Sequence, residues 1–230
     1  MESKVKVVFV SAFRNCAHNV PVYLDRIKHL MIMYPDLEVR VIAGEGDSTD
    51  NTRHTLEWSA YLHNIDLEVV DVTHGGPEFG STEKPERMKA LSMVCNTMLN
   101  SGRLTDDFVV YIESDIVWKP EVIQELLIRA DRRAMRFDIF APMVWAYEAF
   151  YDTWGFRKDG ERFSPFPPYH KALLKNELIT EIDSAGSCLV MRADIARRCR
   201  IRNEYCLVGW CEDARNHGYR IDVCRDLGVN

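Results

Sequence analysis

Three pairs of acidic residues stand where this chain could do chemistry. Glu113 and Asp115 close the run Phe108-Val109-Val110-Tyr111-Ile112, and Pro120 opens the next periodic segment. The apolar run is too short for a buried helix and reads as a buried parallel strand, with Pro120 in the first turn of a helix. Residues two apart on an extended chain share a side, so both carboxylates sit together at the strand's carboxyl end. Open α/β sheets bind ligands outside those ends. Neighbouring carboxylates repel, and a divalent cation carrying a phosphate ester would neutralise them, because hard cations take oxygen ligands. A strand-end turn with solvated carboxylates would leave the same pattern. Glu45 and Asp47 form a second pair, ahead of the capping candidates Ser48, Thr49 and Asp50. Glu212 and Asp213 form the third, where a helix start would favour acids through its dipole.

The elements that must position these groups follow from periodicity. Lys4 to Val10 is a first strand, and the polar loop Ser11-Ala12-Phe13-Arg14-Asn15 follows it. Tyr23, Ile27, Leu30 and Tyr34 mark one face of a helix. Leu37 to Ala43 is a second strand and Leu67 to Val72 a third, with a helix through Leu56 and Ala60 between them. A third helix starts at Pro85 and carries Arg87 and Lys89 in its first turns, where cations oppose the dipole. Another runs through Val122, Leu126 and Ala130. Strand and helix alternate with short loops, which predicts an α/β domain with a mainly parallel central sheet flanked by helices.

The second half departs from that rhythm. After a strand over Asp138 to Trp145 comes an aromatic stretch, Tyr147 to Arg157, and then Phe163 to His170. A long irregular segment of this kind is a binding loop, a lid or a cover for the sheet. Flat rings beside carboxylates suit sugar faces or bases. The small-residue turn Ser184-Ala185-Gly186-Ser187 leads into a strand, and Glu212-Asp213 into a short helix that stops near Gly218. A last strand covers Tyr219 to Cys224. No repeat or linker-like run appears, so the chain reads as one domain with two functional halves, 1–118 and 119–230.

Bulk properties narrow the class. A chain of 230 residues, 47% hydrophobic, can bury a sizeable core. A net charge of −6 argues against nucleic-acid binding through bulk charge. No run of about 18 apolar residues marks a membrane span, and the start lacks a signal-peptide pattern, so a cytoplasmic protein is expected. The seven cysteines include no Cys-x-x-Cys pair and read as reduced, mostly buried thiols. There is no G-x-G-x-x-G, no P-loop, no G-x-S-x-G elbow and no His-x-x-x-His zinc helix.

Taken in order, the acidic loops resemble the GT-A glycosyltransferases, especially the family 2 type and the fungal capsule-associated mannosyltransferases. Gly46-Asp47-Ser48-Thr49-Asp50-Asn51-Thr52 is similar to the D-G-S-x-D-G-T loop after the second strand. Glu113-Ser114-Asp115 occupies the place of D-x-D, Tyr151-Asp152-Thr153-Trp154 resembles the Y-D-T-W segment of the fungal enzymes, and Glu212-Asp213 resembles the E-D pair of family 2. The chain departs from the pattern in Glu113 for the first aspartate and in Cys95-Asn96 where Arg-Asn is usual. A metal-binding histidine beyond the last strand also has no counterpart before Asn230.

The resemblance implies transfer of a sugar from a nucleotide-sugar donor, a UDP- or GDP-sugar, to a hydroxyl acceptor. Asp115 with Glu113 would hold Mn²⁺ or Mg²⁺ on the pyrophosphate. Ser11, Phe13, Glu45, Asp47 and Ser114 would line the nucleotide site, with Arg87 or Lys89 supplying a cation. Asp213, with Glu212 second, would be the base of an inverting enzyme, whereas a retaining one requires none. Tyr151, Asp152, Trp154 and Trp210 would contact the acceptor. A glycan or a hydroxymethylated DNA base is open as acceptor, the latter through Arg132, Arg133, Arg136, Arg197, Arg198, Arg200 and Arg202. A nucleotidyltransferase and a non-catalytic nucleotide-sugar-binding module are the alternatives.

Overall fold

The computed structural model describes residues 4–80, 83–101, 104–131, 138–175, 177–201 and 205–230. Strands β1 (Val5–Phe13), β2 (Leu37–Glu45), β3 (Asp66–Asp71) and β4 (Phe108–Ile112) are all parallel, in the order β3-β2-β1-β4. The chain steps outward from β1 to β3, then returns across the sheet to β4. With right-handed crossovers, that reversal puts helices α1 (Val20–Met33) and α2 (Thr52–His63) on one face and α3 (Pro85–Leu99) on the other. It also opens a crevice beyond the carboxyl ends of β1 and β4, where the strand order switches direction. In register, Phe13 pairs with Glu45, Glu45 with Asp71, and Val10 with Tyr111. The loops after all four strands therefore leave the same edge.

The helices follow their sequence cues. Pro21 opens α1, and Tyr23, Leu24, Ile27 and Leu30 bury one face. Asn64 ends α2 in the left-handed conformation that asparagine tolerates. Pro85 opens α3, which buries Met88, Ser92, Cys95 and Leu99. α4 (Pro120–Asp131) buries Ile123, Leu126, Leu127 and Ala130. Between the sheet and helices lies a single continuous core, including Phe9, Val110, Phe140 and Trp210, all at most 1% exposed.

The second half corrects the mainly parallel expectation. β5 (Ile139–Ala146) is followed by β6 (Ala149–Phe150), and the small strands β7 (Arg157–Lys158) and β8 (Glu161–Arg162) form a separate hairpin. β9 (Ile179–Ile182), β10 (Cys188–Arg192) and β11 (Ile221–Val229) complete the nine-stranded sheet, in the order β4-β10-β5-β11-β9. β10 runs antiparallel to both β4 and β5, and β9 antiparallel to β11, so the sheet is mixed. Short α5 (Ala193–Arg198) continues directly from β10.

Two boundaries also shift. Glu212 and Asp213 do not precede a helix but lie within α6 (Cys206–Asn216), whose buried face is Cys206, Leu207, Trp210, Cys211 and Ala214. β11 extends to Val229, and Asn230 then exchanges backbone hydrogen bonds with Val117, two residues past Asp115. The aromatic segment mostly covers the sheet: Phe150 packs edge-on to Phe156 at 4.9 Å and tilts against Phe163, which stacks on His170 at 5.0 Å. All seven cysteines are free and buried, as expected.

Candidate active site

A pocket of about 380 Å³ opens at the carboxyl edge of β4. Its wall includes Arg87 and Met88 of α3, Glu113, the segment Tyr151 to Gly155, Gly186, Ser187, and Cys206 and Leu207 at the start of α6. The sheet explains why these meet. β10 is antiparallel to β4 with Cys188 opposite Ile112, so the turn before β10 lies beside the turn after β4. Glu113 N donates to Ser187 O at 2.9 Å and locks the two turns together. β5 runs parallel to β4, so the chain that leaves it through β6 delivers Tyr151-Asp152-Thr153-Trp154 to the same edge.

Two carboxylates face each other there. Burial pushes Glu113 up to about 7, with help from the charges of Asp152 and Asp115, while the Ser187 hydroxyl and Arg87 oppose the shift. Asp152 is pushed up by burial and held partly in check by the N–H of Gly155 and the hydroxyl of Ser187. These donors reach its Oδ1 at 2.8 Å and its Oδ2 at 3.3 Å. Gly155 and Gly186 make the seat possible, since a β-carbon at either would collide with the Asp152 carboxylate. A third acid on the wall, Glu83, is engaged by Arg162 at 2.9 Å through both oxygens.

Carboxylate oxygens are the ligand type that suits a hard divalent cation such as Mn²⁺ or Mg²⁺. Glu113 is lifted first by burial and then by the charges of Asp152 and Asp115, charge that a cation would neutralise. Asp115 itself is exposed, next to the pocket rather than in its wall.

Of the residues expected from sequence, the pocket brings together Arg87, Glu113, Tyr151, Asp152 and Trp154. Tyr151 is 54% exposed, and the Trp154 ring carries the Arg157 guanidinium at 5.5 Å. Ser11 and Phe13 are not brought in: Ser11 is fully buried, donating to Ile112 O at 2.5 Å, and Phe13 packs edge-on against Tyr23. Their side chains brace the strands under the crevice. Glu45 is buried with Arg53 at 3.6 Å. Asp47 accepts from His74 N at 2.9 Å and Gly75 N at 3.1 Å, which depresses its pKa. Arg14 donates to Gly76 O and Pro77 O, and Asn15 to Glu78, so the loop after β3 is folded over those after β1 and β2. Ser114 and Lys89 lie outside the pocket wall.

Trp210 is 1% exposed and packs edge-on against Tyr111 in the core. Glu212 and Asp213 do not line the pocket; Asp213 is 4% exposed and accepts from Arg200 N at 2.9 Å. Residues missed from sequence are Glu83, Met88, Leu91, Thr153, Gly155, Gly186, Ser187, Cys206 and Leu207. Thr153 lay inside the Tyr151–Trp154 motif, and the small-residue turn at 184–187 was the signal for Gly186 and Ser187.

The described arginines of the basic cluster are engaged within the chain. Arg197 donates to Leu104 O, Arg200 to Ala196 O and Cys199 O, and Arg198 lies over the Tyr219 ring. Arg132, Arg133, Arg136 and Arg202 lie outside the described residues. Among the described residues, no helix is long and apolar enough to cross a membrane.

No protein-family model and no curated protein sequence matches the chain. Solved structures do. A mannosyltransferase from Pyrobaculum calidifontis, in complex with GDP-Man and Mn²⁺, matches with TM-score 0.63 and 16% identity, over 98% of this chain and 56% of that one. S. aureus TarS 1–349 in complex with UDP matches with TM-score 0.59 and 14% identity, over 98% and 59%. A glucosyl-3-phosphoglycerate synthase from Mycobacterium tuberculosis, in complex with Mg²⁺ and UDP, matches with TM-score 0.53 and 12% identity, over 98% and 70%. The chain thus spans less than two thirds of the first two. Its mixed sheet, its switch-point crevice and these likenesses across 98% of its length identify the GT-A fold.

Proposed function

We propose that this chain is a metal-dependent glycosyltransferase that moves a sugar from a UDP- or GDP-sugar to a hydroxyl acceptor. The observation that carries the reading is the acidic pocket: Glu113 and Asp152 converge at the switch-point crevice beneath one cation, Arg87. Neighbours of the same fold hold GDP-Man with Mn²⁺ and UDP with Mg²⁺.

Asp115 and Glu113 are the residues that would hold Mn²⁺ or Mg²⁺. When bound, such a cation supplies positive charge to the departing diphosphate. Arg87 adds a second, fixed positive charge on the α3 side of the pocket. Asp152, clamped between two glycines, is placed to accept hydrogen bonds from sugar or acceptor hydroxyls. The rings of Tyr151 and Trp154 offer apolar faces at the mouth. Ser11, Phe13, Glu45 and Asp47 shape the nucleotide side by bracing loops. Asp213 has no part in proton transfer in this reading, because its carboxylate is buried away from the pocket. The acceptor is of the polyhydroxyl class, since aromatic faces and a carboxylate suit sugar rings better than a phosphate backbone.

A thermal-shift panel of UDP-, GDP- and other nucleotide-sugars, with and without Mn²⁺, tests the proposal. One nucleotide should stabilise the chain only with metal, by about 2.7 kcal/mol at a hundredfold excess over Kd. Asp115→Ala should abolish that shift. Slow metal-dependent hydrolysis of the same donor would separate an enzyme from a binding module. No shift with any nucleotide would sink the reading.

A further inference from the structure

At the other end of α6, away from the pocket, three side chains of different chemistry converge. Cys199 caps the end of α5, and Asp213 and His217 stand one helical turn apart on and just after α6. One ligand atom from each lies within 4.8 Å of the others. Cys199 is fully buried and Asp213 is 4% exposed, while the His217 side chain is 35% exposed, which leaves one open side. We infer that Cys199, Asp213 and His217 bind a divalent transition metal, Zn²⁺ by ligand type, with water at the open position.

The chemistry of the donor set separates this site from the one at Glu113 and Asp115. Thiolate and imidazole are the soft and borderline ligands that select zinc over magnesium or manganese. Zinc takes sulfur at ~2.3 Å and nitrogen or oxygen at ~2.0–2.2 Å in a tetrahedron, so its ligand atoms stand ~3.3–3.8 Å apart. His217 Nδ1 lies 4.0 Å from Asp213 Oδ2, so side-chain adjustment of well under 1 Å closes that edge.

The Asp213 carboxylate accepts from Arg200 N at 2.9 Å, a bond from ligand to backbone that orients it before metal arrives. His217 Nδ1 lies 2.8 Å from the main-chain oxygen of Asp213, and ligation through Nδ1 opens that contact. The consequence is mechanical. The metal would staple the end of α5 to α6, whose first turn, Cys206 and Leu207, forms a wall of the pocket.

The test uses the full chain, stripped of metal with a chelator and then dialysed against Zn²⁺ or Co²⁺ alone. Elemental analysis should find about one zinc per chain, retained in excess Mg²⁺. Co²⁺ should give an intense near-ultraviolet thiolate charge-transfer band. Cys199→Ser should lose the band, whereas Cys211→Ser and Asp115→Ala should keep it. His217→Ala changes a partly exposed side chain and should lose bound zinc without unfolding, as judged by circular dichroism. A cobalt band that survives Cys199→Ser, or a folded wild-type chain that retains no zinc, would overturn the inference. Neither result bears on the nucleotide-sugar reading, which the Asp115 panel tests separately.

Discussion

Gly186→Ala measures how tightly the pocket holds its second carboxylate. The backbone at Gly186 lies outside the left-handed region, so alanine adds only a methyl group. That methyl would collide with Asp152 Oδ2, so the carboxylate must move. Moving the carboxylate breaks its bonds from Gly155 N and the Ser187 hydroxyl. Hydrogen bonds to charged groups contribute ~1.5–3 kcal/mol each, and the long Ser187 bond belongs at the bottom of that range. Water entering from the open pocket recovers part of the loss, so the net cost is about 2–3 kcal/mol. For a chain of this size ~1 kcal/mol moves Tm by ~2–4 °C, so Tm should fall by roughly 4–12 °C. The decisive comparison is a double-mutant cycle by urea unfolding. In an Asp152→Ala background the oxygen is gone, and adding Gly186→Ala should cost no more than about 0.5 kcal/mol. An equal cost in both backgrounds would refute the clamped-carboxylate geometry.

Other perturbations have equally definite outcomes. Arg40 pairs with Asp106 at 2.7 and 3.1 Å, with side chains 11% and 5% exposed. Arg40→Ala strands a buried carboxylate and should cost about 3–5 kcal/mol in urea unfolding; a loss below 1 kcal/mol would contradict it. Asp222 is fully buried and raised to about 6 by burial, despite the Arg220 guanidinium on Oδ1. A carboxyl raised in the folded state contributes stability that is present below about pH 4 and lost as pH rises through 6. Asp222→Asn should therefore flatten that part of the stability profile and raise Tm at pH 7.5, and an unchanged slope between pH 4 and 6 would exclude the effect. Arg87→Ala should weaken nucleoside-diphosphate binding in the presence of Mn²⁺ by about tenfold or more, as for one charge-assisted hydrogen bond; calorimetry showing the wild-type Kd would remove Arg87 from the donor site.

Much of the frame was legible in the residues. The alternation of apolar runs and amphipathic segments located β1 to β4 and α1 to α4, because short loops and strong periodicity leave few alternatives. Glu113 stood out because the apolar strand run ends abruptly on it and Asp115, and Arg87 because a cation in a first helical turn is unfavourable without a partner. A local motif singled out Tyr151, Asp152 and Trp154, and the fold brings them to the pocket wall. Glu212 and Asp213 lie outside the pocket wall for an equally local reason. The pair was placed ahead of a helix, but Cys206, Leu207 and Trp210 already form its buried face, so α6 starts seven residues before Asp213. Seven residues of helix, about two turns, rise ~10 Å, enough to carry a carboxylate from the pocket to the opposite end. Ser11 and Phe13 stay out of the pocket wall through direction: on β1 their side chains point into the core, where Ser11 meets Tyr23 and Ile112.

The pocket itself turns on the direction of one strand. Had β10 run parallel to β4, as the mainly parallel expectation would have it, its first residue would lie at the amino edge of the sheet. The turn at 184–187 would then sit a strand's length from Glu113, roughly 17 Å for five residues. Because β10 is antiparallel, Cys188 faces Ile112, and Gly186 and Ser187 arrive beside the acidic turn. Ser187 then spends its carbonyl on Glu113 N and its hydroxyl on Asp152, while Gly186 leaves room for that carboxylate. Strand direction is a property of pairing between distant segments, and no residue within 188–192 encodes it, since Cys188 to Met191 are buried on both faces. A fully buried run reads the same whichever way it is threaded. The two acids that define this site therefore come from segments 39 residues apart, and their meeting is a consequence of topology that no single motif carries.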